Sequence, residues 1–137
     1  MTFVPATLRR QVIARAGNCC EYCLLNADDA WFPHEPDHIM SEKHGGPTTS
    51  ENLALSCFDC IRYKGSDIAS RDPETNELVP LFDPRRDQWA DHFVIEGGTI
   101  LALTPIARAT ARLLRLNLPE RTEVRETLRR SGRYPVR

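Results

Sequence analysis

Two short motifs, Cys20-Glu21-Tyr22-Cys23 and Cys57-Phe58-Asp59-Cys60, decide the fold that we expect for this chain. A Cys-x-x-Cys turn places two thiolates on one side of a knuckle, and two knuckles supply the four soft ligands of a tetrahedral structural Zn²⁺. Such a metal ties the two motifs together and holds the intervening loop rigidly in a chain whose core is small. The predicted zinc ligands are Cys20, Cys23, Cys57 and Cys60.

Other uses of the same cysteines stay open at this point. Two disulfides need an oxidising compartment, and the first residues, Met1 to Pro5, lack the basic segment and apolar run of a secretion signal. A redox Cys-x-x-Cys pair needs a thioredoxin-like strand before it, which is missing. A rubredoxin-like iron site has the same spacing as zinc. Cys19 is the spare cysteine, since Cys20 gives the better spacing.

Charge is distributed unevenly along the 137 residues, although the formal net charge is only -1. Residues 1–15 carry a charge of +3, residues 16–103 carry -10 and residues 104–137 carry +6. Sixteen of the eighteen basic residues are arginine, which forms planar, bidentate contacts to phosphate. The basic ends are either the solvent faces of amphipathic helices or a surface that holds a polyanion.

The overall composition is typical of a globular domain, with 41% hydrophobic and 27% charged residues. No segment approaches the ~18 consecutive apolar residues that cross a bilayer. We therefore expect a cytoplasmic protein without a membrane partner. The sequence does not indicate an oligomeric state.

Apolar periodicity, proline and glycine predict a mixture of helices and short strands. The expected elements are a helix over residues 5–16, a strand over 34–40, a helix start or tight turn over 50–57, a helix over 57–64, a polar turn over 72–77, a hairpin over 93–103, and helices over 105–116 and 119–130. The fold class is therefore α+β.

Three residues between the knuckles carry side chains suited to chemistry: Asp37, His38 and Asn52. Aspartate is a hard oxygen ligand for Mg²⁺ or Mn²⁺. Neutral histidine takes a proton from water near pH 7. Asn52 does not titrate, so we expect it to act through hydrogen bonds. Taken singly, each residue is more often a surface, cap or turn residue.

The combined order of these motifs resembles the zinc-knuckle branch of the HNH endonuclease family, which has the ββα-metal fold. The resemblance covers Arg10 to Lys64. Its motifs in this chain are Cys20-Glu21-Tyr22-Cys23, Asp37-His38-Ile39, His44-Gly45-Gly46-Pro47-Thr48, Glu51-Asn52-Leu53, Cys57-Phe58-Asp59-Cys60 and Lys64-Gly65. Ile68 to about Leu118 also resembles, less specifically, the tail of small bacterial stand-alone members.

The resemblance implies a zinc-stapled ββα-metal core with an N-terminal helix over residues 1–70. An extension over residues 71–137, with a hairpin and two helices, would pack on that core as one compact unit. The implied activity is metal-dependent hydrolysis of DNA phosphodiester bonds, with structural Zn²⁺ and catalytic Mg²⁺ or Mn²⁺. DNA is the implied partner.

The resemblance also implies roles for individual residues. His38 would be the general base that activates water, Asp37 would hold the divalent ion, and Asn52 would brace the loop that carries His38. The residues implied in phosphate contacts are Lys64, Arg62 and His44.

Ile61 departs from the family pattern. The residue after the second knuckle is normally His or Asn and completes the catalytic metal site, whereas isoleucine has no ligand atom. The chain is then an inactive zinc-containing nucleic-acid-binding module, an active nuclease with a shifted ligand, or a nuclease in which Ile61 is an introduced change. The candidates for a shifted ligand are His34, Glu35, Asp59 and His44.

Four aromatic residues, Tyr22, Trp31, Tyr63 and Trp89, raise the alternative of base stacking. Their scatter along the chain favours ordinary packing in the core and at its edges.

Overall fold

This computed structural model describes residues 3–136 of the chain. They contain helices and short antiparallel hairpins joined by turns and loops. The α-helices are α1 (Ala6–Arg15), α2 (Phe58–Lys64), α3 (Trp89–His92), α4 (Pro105–Leu113) and α5 (Pro119–Arg130). The strands are β1 (Glu35–His38), β2 (Leu53–Ser56), β3 (Ala69–Arg71), β4 (Leu78–Pro80), β5 (Phe93–Glu96) and β6 (Thr99–Ala102). The expected α+β class is confirmed. Among the described residues, no helix is long and apolar enough to cross a membrane.

The strands pair only with their neighbours in the chain, as β1–β2, β3–β4 and β5–β6. In the first hairpin, Asp37 lies opposite Ala54 and His38 lies opposite Leu53. Because α2 begins two residues after β2 ends, β1, β2 and α2 form a continuous ββα unit. This unit places Asp37 and His38 at the end of β1.

Strand β2 is buried along its whole length because it lies between two apolar clusters. Leu53 and Leu55 pack with Val12 and Ala16 of the N-terminal region. Ala54, on the opposite face, belongs to the larger cluster that contains the cysteines of the knuckles. The alternation follows from the two-residue period of side chains along a strand.

The helix start or tight turn predicted over residues 50–57 is wrong beyond its first three residues. Ser50–Asn52 forms a single 3-10 turn, and Leu53–Ser56 is the strand β2. Burial on both faces overrides the local signal of Ser50, because strand propensity depends on packing context. The helix begins only after Cys57, whose Sγ accepts from the backbone N–H of Cys60 at 3.4 Å.

The other predicted helices and the hairpin around Gly97-Gly98 are present. Helix α4 ends at Leu113 rather than at residue 116, and Arg115 has a positive φ of 50°. Strands β3 and β4 and helix α3 are not predicted from the sequence. These elements have three or four residues each, which is too short for a periodic pattern to emerge.

Residues of the extension complete the core that the zinc knuckles begin. Phe82 and Ile100 share one apolar cluster with Tyr22 and the cysteines of both knuckles. The Trp89 indole Nε1 donates to the Tyr22 carbonyl at 2.9 Å, and the Tyr134 hydroxyl donates to the Cys23 carbonyl at 2.7 Å. The first knuckle is therefore held by the second half of the chain.

Several C-terminal arginines bond to other parts of the fold. They therefore do not form the solvent face of an amphipathic helix, which was one of the two alternatives for the basic ends. Arg125 is 2% exposed and donates to the carbonyl oxygens of Gly98 at 2.8 Å and Leu116 at 2.7 Å. Arg108 forms a bidentate pair with the buried Asp72, at 2.9 and 2.8 Å. This guanidinium holds the pKa of Asp72 well below its usual range. These charges are not presented to a polyanion.

We predict that Gly98→Ala lowers the free energy of unfolding by about 2 kcal/mol, because an added methyl forces the hairpin away from α5. A Cβ at position 98 would lie 2.2 Å from the Thr122 carbonyl oxygen and 2.7 Å from the Glu126 nitrogen. Urea unfolding of the zinc-loaded protein measures the change.

Gly132→Ala is the control for this prediction. A Cβ at Gly132 meets nothing within 4 Å, so the substitution carries only the cost of a positive φ, about 1 kcal/mol. An equal or smaller loss of stability in Gly98→Ala would contradict the close approach of the hairpin to α5.

Candidate functional site

Four buried sulfur atoms converge where α2 begins. The Sγ atoms of Cys20, Cys23, Cys57 and Cys60 all lie within 4.8 Å of one another, and those of Cys23 and Cys57 are 3.7 Å apart. A tetrahedral zinc with Zn–S bonds of about 2.3 Å has S–S edges of about 3.8 Å. No disulfide joins any of the five cysteines, so the cluster fits a structural zinc site and not a pair of disulfides.

Backbone geometry explains why these four cysteines meet. In the first knuckle the Leu24 N–H donates to the Cys20 carbonyl at 2.8 Å, and Leu24 adopts a positive φ of 65°. In the second knuckle Cys57 caps α2, and Cys60 lies in its first turn. Cys19 lies outside the cluster, and its Sγ is 3.7 Å from Asn26 Nδ2.

A buried arginine from α5 contacts the sulfur cluster. Arg121 Nη2 lies 3.2 Å from Cys60 Sγ and 3.7 Å from Cys57 Sγ. Burial lowers the pKa of Arg121, but the charges of Cys60, Cys23 and Cys57 outweigh it and raise that pKa overall. A zinc ion with four thiolates carries a net charge of -2, which Arg121 offsets in part. No local sequence pattern indicates this contact, because Arg121 and Cys60 lie 61 positions apart in the chain.

Asp37 is held from α2 by Lys64. The Lys64 ammonium is 3.1 Å from Asp37 Oδ2 and 2.9 Å from the carbonyl oxygen of His38. With its side chain 2% exposed, Lys64 does not present its charge to solvent, as the expected phosphate contact would require. Burial raises the pKa of Asp37, and the neighbouring Lys64 ammonium offsets part of that effect. Lys64 instead fixes the Asp37-His38 dipeptide.

Thr48, for which no role is predicted from the sequence, orients the His38 ring. His38 Nε2 lies 2.9 Å from Thr48 Oγ1. Asp37 and His38 line one side of an open cleft of about 260 Å³, with Arg9 and Lys43 also in its wall. The cleft gives a ligand direct access to both residues.

Asn52 closes the loop between β1 and β2. Its side chain accepts from the Met40 N–H at 2.9 Å and donates to the carbonyl oxygens of Met40 at 3.0 Å and Pro47 at 2.8 Å. A Cβ at Gly46 would lie 1.8 Å from the Met40 oxygen, so this packing requires glycine. Three hydrogen bonds of this kind are what Asn52 would need in order to brace the loop that carries His38.

Ile61 lies one helical turn before Lys64 and therefore on the same face of α2. Isoleucine offers only carbon atoms at this position, so it supplies no metal ligand. The Asp37 carboxylate has a second oxygen, Oδ1, which is not the atom bonded by Lys64. One carboxylate with waters and substrate phosphate meets the minimum that Mg²⁺ uses in proteins.

The four candidates for a shifted ligand are engaged elsewhere or exposed. Glu35 alone lines the Asp37 cleft, and it is paired with Arg9. His34 is buried with Nε2 2.8 Å from the Leu25 carbonyl, and Asp59 pairs with Arg62 at 3.1 Å. His44 is exposed in the 3-10 turn Glu42–His44.

Comparison with protein-family models assigns residues 20–67 to the family described as HNH endonuclease. The matched segment, 48 of the 137 residues, is similar to an HNH domain. The match extends over both knuckles, Asp37, His38 and Asn52, and the four clustered cysteines mark the domain as the zinc-knuckle type. The resemblance inferred from the motifs is therefore confirmed. Comparisons with curated proteins and with solved structures found no match.

We predict that Cys57→Ser loses the bound zinc and lowers the melting temperature by more than about 10 °C, because metal binding supplies folding free energy in such small domains. Metal analysis and thermal unfolding measure both effects. A strong chelator should unfold the wild-type protein in the same way.

Cys19→Ser is the matched control, since Cys19 is equally buried but lies outside the cluster. It should keep one zinc per chain. Zinc retained in Cys57→Ser, or a melting temperature unchanged after verified zinc removal, would contradict a structural role for the metal.

Proposed function

We propose that the HNH domain of this chain is a metal-dependent endonuclease that hydrolyses DNA phosphodiester bonds. The observation that carries the proposal is the arrangement of Asp37 and His38, which lie at the end of β1 beside α2 and line an open cleft. Two bonds from Lys64 and three from Asn52 hold this arrangement. Preorganised groups of this kind are what hydrolysis of a phosphodiester requires.

His38 is the proposed general base. The contact of Nε2 with Thr48 Oγ1 fixes the ring, and when Nε2 donates to that hydroxyl, Nδ1 is the nitrogen that accepts a proton. A neutral imidazole does this near pH 7. His38 would therefore remove a proton from the water that attacks phosphorus.

Asp37 is the proposed holder of a Mg²⁺ or Mn²⁺ ion. When bound, such an ion neutralises charge on the scissile phosphate and on the leaving 3′ oxygen. Lys64 orients the Asp37 carboxylate, so we assign it a positioning role in place of a phosphate contact. Arg62 and His44, which are both exposed, are the proposed phosphate contacts.

Ile61 makes this a slow enzyme in our proposal, because Asp37 then binds the ion without a second protein ligand. The same observation favours a second candidate function, a zinc-containing module that binds nucleic acid without cleaving it. We propose a cytoplasmic location for either function, since four metal-binding thiols require a reducing compartment.

We predict that the purified protein nicks supercoiled plasmid in Mg²⁺ or Mn²⁺, and that His38→Ala lowers the nicking rate by about 100-fold or more through loss of the general base. His92→Gln is the matched control, because His92 lies in the extension, where Nδ1 contacts Thr104 Oγ1 at 2.6 Å. Equal rates in the wild type and His38→Ala, or no nicking in either, would refute the catalytic proposal.

We further predict that Ile61→Asn raises the nicking rate at least tenfold by adding an oxygen ligand beside Asp37. Ile61→Leu is the control, since leucine matches the size but has no ligand atom. A rate in Ile61→Asn no higher than in Ile61→Leu would contradict the account of position 61.

The second candidate is tested by the salt dependence of DNA affinity. A protein that contacts phosphates loses affinity linearly in the logarithm of salt concentration. If the protein does not nick DNA but binds it with a salt-dependent affinity, the second candidate function is correct. A slope near zero in the plot of log affinity against log salt concentration would exclude that function.

A further inference from the structure

A run of exposed and half-buried aromatic and arginine side chains lies beside the zinc knuckles, and we call it the aromatic–arginine surface. Its members are Trp31, Phe32, Phe58, Arg62, Tyr63 and Arg115. Trp31 is 97% exposed, Phe32 56% and Phe58 45%. The expectation that the scattered aromatics serve packing is therefore wrong for Trp31, whereas Tyr22 is buried.

Five members of this surface, from Phe32 to Arg115, contact one another in order. The Phe32 and Phe58 ring centroids are 4.7 Å apart with an interplanar angle of 31°. The Arg62 guanidinium lies between rings, 5.4 Å from the Phe58 centroid and 4.6 Å from that of Tyr63. Arg115 lies 4.8 Å from the Tyr63 centroid. Planar groups therefore follow one another along the surface, with two cations among them.

A groove of about 450 Å³ opens next to these stacked groups. Trp31, Phe32 and Phe58 line it together with Val124 of α5, which is 45% exposed. An exposed apolar patch with a polar rim commonly marks a site of interaction. The groove has the volume of a site for planar ring systems.

We propose that the aromatic–arginine surface stacks the unpaired bases of single-stranded nucleic acid. Every base has a π face that stacks on an aromatic ring, and arginine adds cation–π and phosphate contacts. The surface combines both kinds of group. This inference rests on the proposed function, because it specifies the form of the nucleic acid that the domain meets.

A second copy of the chain is the competing occupant, and the charges disfavour it. In a two-fold contact the same patch faces itself. Such a contact would bring Arg62 and Arg115 of both copies into one interface, which costs free energy unless acids compensate. Asp59 is already paired with Arg62 at 3.1 Å. A strand carrying phosphates supplies the opposite charge.

Helix α2 connects this surface to the candidate nuclease site. Phe58 and Arg62 are four residues apart and share one side of the helix, whereas Lys64 reaches Asp37. A strand stacked on the aromatic–arginine surface is therefore held against the helix that contacts the catalytic residues.

The test compares a labelled 12-nucleotide oligothymidine with an abasic strand of equal length and charge, in buffer without added divalent metal. We expect the wild type to bind oligothymidine at least fivefold more tightly. Trp31→Ala and Phe58→Ala should remove this preference, and oligothymidine should quench tryptophan fluorescence in the wild type only.

Leu78→Ala is the matched control, because Leu78 is a comparably exposed apolar residue, 77% accessible, on β4. It should keep the wild-type preference. Equal affinity for the two strands, or an unchanged preference in Trp31→Ala, would overturn the proposal. A wild-type dimer in sedimentation that Trp31→Ala abolishes, without preference for oligothymidine, would overturn it in favour of a second copy.

Failure of this inference is distinguishable from failure of the proposed function. The affinities are measured without Mg²⁺ and without cleavage. A protein that prefers bases but never nicks plasmid refutes only the catalytic proposal, and a protein that nicks but does not distinguish the abasic strand refutes only the stacking.

Discussion

The convergence of four cysteine thiolates is the contact on which the rest of the structure depends. It joins the turn after α1 to the start of α2, and through Arg121 it also holds α5. The cluster holds the start of α2, because Cys57 caps this helix and Cys60 lies in its first turn. Lys64, the last residue of the same helix, then reaches Asp37. Loss of the metal would therefore affect the knuckles, the candidate nuclease site and the packing of the extension together.

Three of the described basic side chains act inside the fold. Lys64, Arg121 and Arg125 are buried, and each contacts a carboxylate, sulfur atoms or carbonyl oxygens. Most of the other described basic residues are exposed, and the net charge of -1 shows that acidic residues balance them over the whole chain. Arg62 and Arg115 are exposed, so attraction to a nucleic acid would be local and salt-sensitive.

The parts that sequence predicted well are those with a fixed spacing. Both knuckles, the first helix and the last two helices follow from cysteine spacing, apolar period and the prolines at Pro105 and Pro119. Strand β2 was missed because its conformation depends on burial between two clusters. Contacts such as Arg121 with Cys60, or Lys64 with Asp37, join residues far apart in the chain, and no local pattern encodes them.

The central claim is that Asp37 can hold a divalent ion although Ile61 has no ligand atom. The most direct measurement is a crystal structure of the zinc-loaded protein soaked in Mn²⁺, with anomalous scattering used to locate manganese. The account predicts a manganese peak at the Asp37 carboxylate, with Lys64 still bonded to the other oxygen. Manganese bound elsewhere, with none beside Asp37, would contradict it.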